Sequence, residues 1–102
     1  MNAPVAFSPS VAIDLDDAVA WYDRRQPGLG DRFLLEFRVS VARIAQAGST
    51  VRKVHGEFRH LKFEGFPYLI FFRDDGDGFY VALVIGAARD PALILKLLAE
   101  RR

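Results

Sequence analysis

A chain of 102 residues with 51% hydrophobic side chains, nine phenylalanines and a formal charge of +1 can bury one modest core and is not a disordered polymer. It has no cysteine, which excludes disulfides and thiolate metal sites and suits a reducing cytoplasm. No window approaches the roughly 20 apolar residues of a membrane span, and the opening MNAPVAFSPSVAIDLDD lacks the basic start and apolar run of a secretory signal.

Val5–Phe7 is short and apolar, the pattern of an edge strand. Ser8-Pro9 then signals a helix start, because the hydroxyl can cap a free amide and proline needs no donor there. Apolar residues at Val11, Leu15, Ala18, Val19 and Tyr22 form one stripe at helical spacing, so a first helix is expected from Pro9 to Arg24. Asp14, Asp16 and Asp17 are expected in its first turns, where the helix dipole favours negative charge. Pro27-Gly-Leu-Gly30 breaks the pattern. A second stripe at Phe33, Leu34, Phe37, Val41, Ile44 and Ala45 ends at Gly48, which reads as a C-cap. Two helices on a short Gly/Pro turn make an antiparallel hairpin with one shared apolar side.

Residues 47–56 read as a loop. The stretch from Phe58 to Pro91 reads as three strands too apolar to stand alone. Glu57–Phe63 alternates, with Arg59, Leu61 and Phe63 on one face and Phe58, His60 and Lys62 on the other. Tyr68–Phe72 and Phe79–Ile85 are apolar on both faces, as central strands are. Asp74-Asp-Gly-Asp-Gly78 between them is a hairpin signal. Pro91 suits a first helical position, and a leucine-rich helix is expected over Ala92–Arg102. The order β-α-α-β-β-β-α defines one α+β domain over residues 1–102, a helical hairpin on a small, mainly antiparallel sheet. The opposite sheet face is left open or partly covered by the last helix. That face and the helix's leucines together would form a large apolar patch, the mark of a binding surface.

Charge is unevenly spread. Six basic residues (Arg38, Arg43, Arg52, Lys53, Arg59, Lys62) face one acid, Glu57, between positions 38 and 62. Such a middle can meet phosphate or an acidic partner, or it can be a solvated face with nearby counter-charges. His55 and His60 have no metal-ligand partner set, and Gly28 and Gly30 lack the lysine of a phosphate loop. Neither metal nor cofactor is expected.

FSPSVAIDLDDAVAWYDRRQPGLGDRF, then FRHLKFEGFPYLIFFR, then VALVIGAARDP resembles the RelE/ParE superfamily of type II toxin–antitoxin toxins over nearly the whole chain. Pro9, Asp14-Leu15, Trp21-Tyr22, Pro27-Gly-Leu-Gly30, Phe33, Arg59, Phe66-Pro-Tyr68 and Arg89-Asp-Pro91 carry the likeness. It implies a cytoplasmic toxin of plasmid-stabilisation type, neutralised by a cognate antitoxin that alone contacts operator DNA. RelE-like members cut messenger RNA in the ribosomal A site, and ParE-like members inhibit DNA gyrase. RNA cleavage by a 2′-hydroxyl needs a base, an acid and a cation at the phosphate. The candidates are Arg59, His60, Lys62, Arg73 and Arg89. Against that chemistry, Tyr68 stands where RelE-like members carry an arginine, and Gly86 where a histidine is frequent. The last helix lacks an aromatic residue. The ParE branch, which needs a binding surface and no active site, fits better, with Arg89, Leu93, Leu97, Leu98 and Arg101 as partner-binding candidates. A relic that only engages an antitoxin is the third reading.

Overall fold

The computed structural model describes residues 2–102. Strand β1 (Val5–Phe7) leads into helices α1 (Ser10–Arg25) and α2 (Leu29–Ala47). Strands β2 (Lys53–His55), β3 (Phe58–Lys62), β4 (Tyr68–Asp75) and β5 (Gly78–Gly86) follow, and helix α3 (Pro91–Glu100) ends the chain. The five strands form one mixed sheet in the order β1-β5-β4-β3-β2. Only the β1–β5 pair is parallel. The architecture is α+β, as expected, with one strand more than the sequence pattern showed.

That extra strand is β2. Residues 47–56 are not a featureless loop: a 3-10 turn covers Gly48–Thr50, and Lys53 and His55 pair irregularly with Arg59 and Phe58. Three residues with a register shift are too few to show a period-2 pattern.

Two other expectations are corrected. Helix α1 begins at Ser10, so its first turn holds no acid and Asp14 lies in the second turn. Ser8 Oγ does accept from the Ser10 amide, at 3.3 Å. Gly48 is not a left-handed cap, since its φ is −57°. Glycine is needed there for space: a Cβ would sit 2.8 Å from the Phe79 ring. At the other end of α2, the Asp23 carboxylate accepts from the Gly30 amide at 2.8 Å, tying the helical hairpin together where orphan amides need a partner.

Each face of the sheet carries its own core. Toward the helical hairpin, Val11, Ala18 and Tyr22 of α1 and Phe33 and Ile44 of α2 pack on Phe63, Ile70, Phe72, Phe79, Val81 and Val84. On the far face Phe58, Phe71, Ala82, Leu83 and Ile85 meet Ile94 and Leu98 of α3. A bulge sets this division. Phe71 pairs with Leu83 and Phe72 with Val81, so Ala82 is the extra residue. Past the bulge, β5 presents Leu83 and Ile85 to α3 and Val84 to the hairpin helices. The β4–β5 turn is the two residues Gly76-Asp77, with Gly76 alone at positive φ (+64°), as a hairpin of this length requires.

The far face is therefore less open than the sequence suggests. Helix α3 buries its Ile94 and Leu98 there, at 5% and 2% exposure, and leaves Leu95 on the surface. Asp90 caps the helix by accepting from the Ala92 amide at 2.9 Å, and Pro91 takes the first helical position.

Candidate partner-binding surface

The five residues considered for RNA cleavage do not converge. Arg59 points to the hairpin side of the sheet and is nearly buried, donating to both Asp74 oxygens at 3.2 Å and to the Ser49 and Val51 carbonyls. All of that binds β2's approach to β4, so its role is architectural. His60, Lys62 and Arg73 share the other face by strand alternation. Arg73 lies over the Tyr80 ring at 4.5 Å and pairs with Asp75 at 3.8 Å. Arg89 follows β5 at the opposite end of the sheet from Arg73.

His60 sits edge-on to Phe71, with ring centroids 5.1 Å apart. Burial lowers its pKa, and His55 and Arg52 push the same way. It is thus neutral near pH 7, which a base requires but packing alone explains. Because the folded-state pKa is depressed, the unfolded chain takes the proton first, and stability falls as pH drops below about 6.5. The urea midpoint of the wild type should fall between pH 7.5 and pH 5.5 by more than that of His60→Gln. Equal losses would remove His60 from the account.

The partner-binding candidates divide in the same way. Leu98 is already buried in the chain's own core, which corrects its place in an open patch; Leu93 and Leu97 are half-buried beside it. Arg101 is occupied too. Its guanidinium grips both oxygens of Asp14 at 2.6 and 3.0 Å and donates to the Ala82 carbonyl at 3.2 Å. Asp14 in turn accepts from the Val84 amide at 3.1 Å. Strand β1 stops at Phe7, so the Asp14–Arg101 pair serves the edge of β5 where strand pairing ends. Sequence reading missed this clamp. Aspartates at a helix start suggest dipole compensation, and nothing local links positions 14 and 101.

Two grooves flank α3, one on each side. The larger, about 720 Å³, is lined by Val54, His55, Phe58, Arg73, Leu95 and Arg102. The other, about 530 Å³, lies between α1 and α3 over the end of β5, with Trp21, Tyr22, Tyr68, Gly86, Arg89 and Leu97 in its walls. Trp21 is 43% exposed and carries the Arg25 guanidinium over its ring at 3.8 Å; only its neighbour Tyr22 belongs to the core. Burial raises the pKa of Tyr22 and Tyr68, so both phenols stay neutral donors; Arg89 opposes the shift at Tyr68. Among the described residues no group of three or more His, Asp or Glu is placed to hold a metal.

Two grooves flank the one short helix of this small α+β protein, and its basic residues are scattered over two faces of the sheet. Residues 5–91 match the family model described as "ParE toxin of type II toxin-antitoxin system, parDE". This chain belongs to the ParE toxin family. Among solved structures it is similar to a chain of the chromosomal ParDE toxin–antitoxin system from P. aeruginosa, with a TM-score of 0.72 and 17% identity. The match covers 82% of this chain and 95% of that one, and at such identity it shows a shared fold. A search of curated proteins gives no match. Among the described residues no helix is long and apolar enough to cross a membrane.

Proposed function

We propose that this type II toxin, residues 1–102 acting as one domain in the cytoplasm, inhibits DNA gyrase and is neutralised by a cognate antitoxin seated beside α3. Operator DNA is met only through that antitoxin. The observation that carries the reading is the dispersal of the basic residues. Arg59 is locked inside the fold, and Arg89 stands at the other end of the sheet from Arg73. A phosphate in one place cannot use them together, whereas RNA cleavage needs its acid, base and cation within hydrogen-bond reach of one another. Inhibition by binding needs only surface, and the grooves flanking α3 supply it.

A ribosome-dependent nuclease is the second reading, favoured by one feature. His60 is neutral and shares a strand face with Lys62. Supercoiling by purified gyrase in the presence of the toxin, run beside primer extension on translated messages, separates the two. Loss of supercoiling without codon-linked cleavage is the expected outcome. Cleavage that His60→Gln abolishes would replace it, and inactivity in both assays would leave a chain that only binds antitoxin.

A further inference from the structure

The larger groove is apolar at its base and positively charged around it. Phe58 of β3 and Leu98 of α3, both buried, contribute the base. One wall is the tip of the β2–β3 hairpin, where Gly56, at φ +55°, and Glu57 turn the chain between His55 and Phe58. The other is the outer side of α3, where Leu95 and Ala99 stand one helical turn apart and Leu95 stays 48% exposed. Two guanidinium groups, from Arg73 and Arg102, complete the lining. Its one acid, Glu57, is already held by Lys53 Nζ at 2.9 Å. Arg73 meets the half-exposed Asp75 only at 3.8 Å, and Arg102 forms no ion pair among the described residues. Positive charge is left over.

We infer that this groove seats the target: an acidic segment of gyrase places one apolar side chain between Leu95 and the β2–β3 tip, with its carboxylates against Arg73 and Arg102. The inference deepens the gyrase reading above and rests on it. Charge complementarity selects the occupant. An apolar anchor in a pocket with charged groups around it concentrates binding energy in a few residues, as inhibition by contact alone requires. A nucleic-acid strand would use the arginines but not the base, because Phe58 is too buried to offer its ring to a stacked nucleotide. A second copy of this chain, set groove to groove about a two-fold axis, would bring like charges together.

Supercoiling by purified gyrase, titrated with the full-length toxin, tests the site. Leu95→Glu and Arg102→Glu change exposed side chains outside the core, and an unchanged urea midpoint shows that the fold is kept. Each should raise the toxin concentration that halves supercoiling about tenfold. Leu35→Glu, on the exposed side of α2 away from both grooves, should shift it less than about twofold. All three variants should bind the small protein encoded by the neighbouring reading frame within about twofold of wild type by the same reasoning. Undiminished inhibition by Leu95→Glu and Arg102→Glu, or an equal loss in Leu35→Glu, overturns the assignment and leaves the gyrase reading standing. Inhibition lost together with binding of that small protein gives the groove to the antitoxin and overturns it too. A wild-type dimer that these variants dissociate, or DNA binding without gyrase that they abolish, has the same effect. A wild-type chain that leaves supercoiling untouched overturns both.

Discussion

Phe33→Ala should cost about 4 kcal/mol, a large part of the roughly 5–15 kcal/mol that holds a small domain together. Phe33 is fully buried on α2, and its ring lies 4.9 to 5.5 Å from the rings of Tyr22, Phe63, Phe66 and Tyr68. Those four come from α1, the residues just after β3, the turn before β4, and β4 itself. One side chain therefore joins the helical hairpin to the sheet. Alanine leaves a cavity that four large rings, Phe66 and Tyr68 edge-on to Phe33, Tyr22 stacked on it and Phe63 tilted, cannot close without giving up their own packing. Phe33→Leu keeps most of the volume and should cost about 1.5 kcal/mol or less. Urea unfolding at constant slope measures both, and equal costs would mean that the cluster relaxes around either residue.

Arg101→Met is expected to cost about 3 kcal/mol and Asp14→Asn only about 1 kcal/mol, although the two residues form one ion pair. Their side chains are 15% and 12% exposed. The asymmetry comes from where each residue stands. Asp14 sits within α1 and cannot leave when its partner is gone, so a buried carboxylate keeps only the Val84 amide. Arg101 stands at the C-terminal cap of α3, outside the helix proper, and with Asp14 removed its long side chain can turn to water. An asparagine at position 14 still offers an oxygen to Val84. The double variant should show clear coupling in denaturation, since the pair shares one network. Equal and small losses would mean that the clamp is replaceable by solvent.

Much of this fold was legible in the residues, for identifiable reasons. The two helices, the central strands and the Asp/Gly hairpin rest on local signals: apolar period, turn chemistry and proline position. The split of β3 into an Arg59 face and a His60 face followed from alternation alone and is what the sheet shows. What escaped was set by partners distant in sequence. β2 exists because Arg59 holds the Ser49 and Val51 carbonyls. Gly48 yields to a ring from β5, and Asp14 answers to the last turn of the chain. The same limit applied to the surface. The leucines of α3 looked alike in sequence, yet the sheet takes Leu98 inside and leaves Leu95 to the larger groove.

The parallel pairing of β1 with β5 has a consequence for synthesis. Val5 leaves the ribosome early but finds its neighbour only when Phe79 emerges, and the Asp14–Arg101 bond spans 87 positions. Contacts this distant are slow to form, and a nascent chain holding them open exposes apolar surface meanwhile.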